Sequence, residues 1–148
     1  MENSLDFYEN EAPPSQSTLH QLYESIDSIT TNETTFDGIH HYLQEGVKGK
    51  LIITKGNIIH ISQRINNDQE VPLISILIVQ NNKVICEYQL DKKDDVLYIE
   101  RYSTLYPLRN NGLISDPLKL ERYLGLTKTT EPEIRQLIAI IKEDRNSE

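Results

Sequence analysis

The side chains with most capacity for chemistry in this chain are four histidines, His20, His40, His41 and His60, and one cysteine, Cys86. A protein-held metal needs several imidazole, thiolate or carboxylate ligands converging on one point. Asp37, His41 and Glu45 have the i, i+4, i+8 spacing of one helix face, and His60 on a strand would complete a site if the fold brought it close. Only one member of that stripe is a histidine, so the expectation is a solvated helix face, with His60 on the polar side of its strand and no metal. Cys86 alternates in step with Val84, Tyr88 and Leu90, which turns it inward as a small hydrophobe. Within five residues on either side only Lys83 is basic, so nothing local lowers the thiol pKa and a nucleophilic role is not expected. Tyr88, Tyr98 and Tyr102 fall on neighbouring strands, where a five-residue turn would set Tyr88 opposite Tyr98 as cross-strand aromatic packing. No glycine-rich phosphate loop, GxSxG, HExxH or calcium loop occurs. No catalytic residue and no cofactor are assigned, and a small enzyme with dispersed histidine and carboxylate groups is the third of three functional expectations.

The second concerns residues 118–141, LKLERYLGLTKTTEPEIRQLIAII, where two helices joined by a glycine turn resemble the helix-turn-helix of DNA-binding regulators. Glu121 stands where that motif needs a small residue and Glu131 where it needs a buried aliphatic. The would-be recognition helix opens with Glu131 and Glu133, which repel phosphate. From Asp116 to the end there are six bases against seven acids, so nucleic acid is not the expected partner.

The charge layout carries the first expectation. Residues 1–47 hold nine acids and no Lys or Arg, while residues 48–148 hold fourteen acids and fifteen bases, so the net −8 lies in the N-terminal third. Such one-sidedness disfavours phosphate or an anionic membrane and suits a partner with a basic surface, solubility being the plainer account. No run approaches the roughly 18 apolar residues of a membrane span, and the start lacks the features of a signal peptide. One cysteine excludes an intrachain disulfide framework, which with the foregoing suggests a cytoplasmic protein.

The elements that must position these groups follow from periodicity. Residues 1–16, with Pro13-Pro14 and little to bury, read as a flexible acidic arm, and residues 17–148 as one α+β domain. Leu19, Leu22, Tyr23, Ile26 and Ile29 share one face of a helix with a Thr18–Gln21 capping box. A second helix is expected over about Phe36–Glu45. Then come LIITK, NIIHISQRI, VPLISILIVQ, KVICEYQL and VLYIERYST, an antiparallel meander of about five strands with turns at Gly56-Asn57, Asn81-Asn82 and Asp91–Asp95. VPLISILIVQ is apolar on both sides and reads as central; if helices cover only one face the other must be buried in a dimer, and a homodimer is expected. A helical pair follows, one helix from Asp116-Pro117 to Gly125 and one opened by a Thr130–Glu133 capping box.

The expected function is a small non-enzymatic regulator, inhibitor or chaperone-like protein that binds another macromolecule. Glu24 and Asp27 would steer a basic protein, and the long apolar segment at Leu105, Tyr106, Leu108 and Arg109 would anchor it.

Overall fold

The computed structural model describes residues 12–36, 39–42, 45–54, 56–65, 72–81, 83–107 and 123–146. Helix α1, Gln16–Ile29, begins a turn earlier than its periodicity suggests, because Ser15 and not Thr18 is its cap: the Ser15 hydroxyl accepts the Thr18 N–H at 3.2 Å. Leu19, Leu22, Ile26 and Ile29 are buried along one face. The chain then forms a hairpin, β1 (Glu33–Phe36) and β2 (Ile39–Tyr42), where a second helix was expected. The two residues joining the paired Phe36 and Ile39 are Asp37 and Gly38, a dipeptide strongly favoured in hairpin turns, and Thr34-Thr35-Phe36 is β-branched and aromatic. Over so short a segment the turn outweighs an apparent helical period, and the Asp37–His41–Glu45 helix stripe does not exist.

The meander is present: β3 (Val47–Thr54), β4 (Asn57–Arg64), β5 (Ile74–Gln80), β6 (Lys83–Lys93) and β7 (Val96–Pro107) pair in that order, all antiparallel. A sixth strand, β8 (Tyr123–Thr127), extends it beyond β7. This replaces the first helix of the expected C-terminal pair at least over 123–127; Gly125 lies opposite Ser103 beside a register shift, and is no helix cap. The remaining helix, α2 (Glu131–Asn146), opens with the expected capping box, Thr130 N–H donating to Glu133 at 3.1 Å. The fold is therefore α+β, and among the described residues one helix precedes the sheet and one follows it.

Positive backbone angles mark the turns. Gly56 has φ +80° between the paired Thr54 and Asn57, so Asn57 already belongs to β4 and the turn closes one residue earlier than expected. Asn81 (φ 52°) follows Gln80, which pairs with Lys83. Asp94 and Asp95 (φ 52° and 65°) make a two-residue turn between Lys93 and Val96, tighter than the Asp91–Asp95 connection expected. The tight turn sets Tyr98 opposite Asp91 and Tyr88 opposite Arg101, so Tyr88 and Tyr98 are not partners.

Both helices lie on one face of the sheet. Ile52, Ile59, Ile61, Ile74, Ile76, Leu90 and Leu97 meet Leu22 and Ile26 of α1 and Ile134, Leu137 and Ile141 of α2 in one core. The centre of the opposite face is also buried: Leu77, Val79 and Val84 form a second cluster with Ile58 against it. Val84 faces away from Cys86 because a register shift leaves Ile85 as an extra residue between them. A dimer is thus not needed to cover β5.

Glu131 ties the two helix starts together. Its carboxylate accepts the Ser15 N–H at 2.9 Å and the Thr18 hydroxyl at 2.6 Å and pairs with Arg135, and its own N–H donates to Ala12 at 2.8 Å. The Thr18 hydroxyl first, then the Ser15 N–H and Arg135, hold this carboxyl at about 2 against an ordinary 4.5. A depressed carboxyl stabilises the fold fully above its unfolded pKa, and that contribution is lost as pH falls from about 4.5 towards about 2. Glu131→Gln should cost about 1–2 kcal/mol at neutral pH. It should also flatten the stability curve in that acid window, as thermal melts against pH will read; an unchanged acid slope would remove this role.

Candidate functional site

Among the described residues, ionisable side chains gather inside the molecule on each sheet face. The first follows from the β6–β7 register, which places Tyr88 and Arg101 side by side under the start of α2. Capping makes Glu133 face inward there. One carboxylate oxygen of Glu133 accepts the Thr130 N–H; the other accepts from the Tyr88 hydroxyl and from the Arg101 guanidinium. Burial, then the hydrogen bond to Glu133, raises the Tyr88 phenol far above its usual range, so it stays a protonated donor. Burial opposes the Arg101 charge, but the bond to Tyr88 and the Glu133 carboxylate outweigh it. Cys86, on the same face, has its thiol pushed up to about 11, first by burial, with Arg101 only partly offsetting it.

Beside this node a cavity of about 170 Å³ opens between α2 and the sheet, with Ile59, Ile78, Leu137 and Ile140 on its apolar walls and Thr54, Asn57, Tyr88, Glu133 and Gln136 on its polar ones. Its size suits a fragment of a few heavy atoms. The chemistry on offer is hydrogen bonding and charge: the phenol and the thiol are both held protonated at neutral pH, which leaves neither as a ready nucleophile.

The second cluster is on the opposite face. His60 is buried, not on a polar strand side as expected, and neither ring nitrogen has a hydrogen-bond partner among the described residues; the Ser75 hydroxyl likewise has none. Glu87 is 0 % exposed and accepts from Gln89 at 2.6 Å. A serine, a histidine and a glutamate on adjacent strands invite comparison with a hydrolytic triad, which needs the imidazole between the other two. Here the register puts Leu77 between His60 and Glu87, two strand spacings or about 9.6 Å apart, and Ser75 diagonal to both. The imidazole can be oriented by neither. Burial alone lowers His60 to about 4.

The residues singled out for partner binding are dispersed. Glu24 and Asp27 lie on the exposed side of α1, but Asp27 accepts from Gln63 at 3.0 Å and pairs with Lys48 at 3.4 Å. Leu105 and Tyr106 belong to β7, Tyr106 opposite Val84, so that part of the supposed loop is strand; Leu108 and Arg109 lie outside the described residues. Among the described residues no three His, Cys, Asp or Glu side chains are grouped to hold a metal, and no helix is long and apolar enough to cross a membrane. Sequence inspection missed the Arg101–Glu133 pair and the buried Glu87. The capping box signalled Glu133; Arg101 and Glu87 depended on the strand register, and the latter also on the bulge at Ile85.

Comparison with known protein families, with curated proteins and with solved structures finds no match to this chain.

Two measurements follow from the perturbed groups. Thiol alkylation of Cys86 by iodoacetamide at neutral pH should be roughly 100-fold slower in the folded protein than in denaturant. His60 is neutral when folded and gains a proton on unfolding, so stability should fall as pH drops from about 6.5 towards about 4 and level off below. His60→Leu should remove that slope; an NMR titration of His60 near 6.5 in the native state would contradict its burial.

Proposed function

We propose that this protein is a non-catalytic binding module, a regulator, inhibitor or chaperone-like factor whose acidic N-terminal third steers it to a basic protein surface. The observation carrying the proposal is the orientation of α1. Its apolar stripe is locked in the core, so its solvent side is fixed outward with Glu24 and Asp27 about one turn apart, in a third of the chain that contains no Lys or Arg. Four ionisable groups of the interior clusters support this choice, since Glu133, Arg101, Tyr88 and Glu87 are engaged with one another or with nearby polar groups in ways that hold the fold. The anchor is assigned to the end of β7 and the chain beyond it: Leu105, Tyr106, Leu108 and Arg109. The DNA-binding alternative loses its motif, because 123–127 is a strand.

Charge reversal at Asp27 would also break its bonds to Gln63 and Lys48, so Glu24 is the cleaner probe. Affinity capture from native lysate with the full chain, followed by association kinetics on the captured protein, tests the reading. Rising salt should slow association, and Glu24→Lys should slow it at low salt while leaving the melting temperature within about 1 °C. An association rate indifferent both to salt and to this substitution would remove the steering role, and salt-sensitive binding of duplex DNA would replace the reading.

A further inference from the structure

We propose that strand β3 is a self-complementary docking edge through which two copies of this chain join their sheets, Leu51 of each opposite Ile53 of the other. The inference is independent of the steering reading and rests on how the chain treats its sheet edges.

An edge strand presents unpaired N–H and C=O groups, and proteins ordinarily cover them. Here two stretches of edge are covered by the N-terminal part of the chain. At β7, the Gln16 side-chain amide donates to the Leu97 carbonyl at 2.7 Å and accepts the Leu97 N–H at 2.9 Å, standing in for a neighbouring strand. At β3, Thr31 exchanges both backbone bonds with Gly49, at 2.7 and 3.0 Å. Those bonds also establish which way β3 points. If the N–H and C=O of Gly49 are directed away from β4, then by the two-residue period of a strand those of Leu51 and Ile53 are too. Neither has a strand partner on that side among the described residues. Among the described residues the open edge runs only from Leu51 to Thr54, closed at one end by Thr31 and ending at the other where Thr54 pairs with Asn57 across the turn. Within it, Ile53 is 74 % exposed, the most exposed large hydrophobic side chain among the described residues.

A second copy fits that edge. With a two-fold axis at Ile52, Leu51 of one copy faces Ile53 of the other, and the reverse, so that all four outward backbone groups of each copy are paired in four new hydrogen bonds. Leu51 and Ile53 share the sheet face opposite the helices, so each exposed Ile53 side chain gains an apolar neighbour from its partner. Shifting the axis to Leu51 would bring Ile53 onto Gly49, which Thr31 already occupies. The patch is short, so the dimer is a weak one, and with a net charge of −8 on each copy it should strengthen as salt screens repulsion, opposite to the salt dependence of a steered basic partner.

The test uses the full chain. Sedimentation velocity across a wide concentration range should show a monomer of 17.1 kDa passing to a dimer, with higher salt lowering the midpoint concentration. Amide exchange followed by NMR should show Leu51 and Ile53 protected at high concentration and fast at low. Ile53→Lys, at a site exposed in the monomer, should raise the midpoint roughly tenfold or more while the melting temperature of the dilute protein stays unchanged. Leu51→Pro removes one outward donor without touching the β4 ladder and should act in the same direction. A monomer at every concentration, or a dimer that ignores both substitutions and leaves the two amides unprotected, would overturn the proposal.

Discussion

The burial of both faces of β5 is the constraint on which the rest of this structure depends. Ile74 and Ile76 point to the helices while Ser75, Leu77 and Val79 point the other way, and all five are buried. A strand of this kind has to sit inside the sheet with material on both sides. The helix side is a large aliphatic core that one stripe from each helix suffices to fill. The other side has a smaller apolar cluster, and polar groups on neighbouring strands are carried into the interior with it. His60 and Glu87 flank Leu77 in register, so they are buried because Leu77 is. Their burial is a consequence of strand order, which accounts for an imidazole held neutral by desolvation with no hydrogen-bond partner among the described residues.

Turn chemistry decides what meets what across that sheet. The side-chain period of a strand is two, so a slip of one residue exchanges the faces. The left-handed angles at Asp94 and Asp95 close β6–β7 with two residues, and from that choice Tyr88 meets Arg101, Glu133 finds both, and the thiol of Cys86 lies beside a satisfied ion pair. A longer turn would have paired two tyrosines and left Arg101 and Glu133 to find solvent. The polar node therefore has a structural function that follows from local backbone chemistry, locking α2 onto β6 and β7 at the point where the helix starts.

Much of this was legible in the residues and some was not, for identifiable reasons. The five strands of the meander, the N-terminal helix face and the Thr130–Glu133 cap could be read because long alternation and a reciprocal cap each have one physical meaning. Phe36–Glu45 and Tyr123–Thr127 could not, because three or four apolar positions fit either period and glycine is ambiguous between a helix exit and a strand bend. In the first case Asp37-Gly38 was the discriminating signal. In the second, only the other edge of β7, a strand that pairs with β6 along its whole length, invites another strand, and that is a fact about neighbours. The candidate site was less legible still: Arg101 and Glu133 are 32 residues apart, and their meeting depends on a register set elsewhere.

The N-terminal third can now be divided by what its polar residues do. Ser15 caps α1 and with Thr18 binds Glu131, Gln16 covers the β7 edge, Thr30 donates to Gln63 in the interior, Thr31 covers β3, and Asp27 receives Gln63 and Lys48. Each of these is a hydrogen-bonding task that Ser, Thr, Gln and Asp perform with a short reach, so the helix and its flanks have structural reasons to be polar. None of them explains why Lys and Arg are excluded, since a lysine on the outer side of α1 would disturb none of those bonds. Glu24, which stands on that outer side with no such structural task, belongs to the residue of charge that packing leaves unaccounted for. It is this remainder, and not the net −8 of the whole chain, that physical reasoning can ascribe to an encounter with something basic.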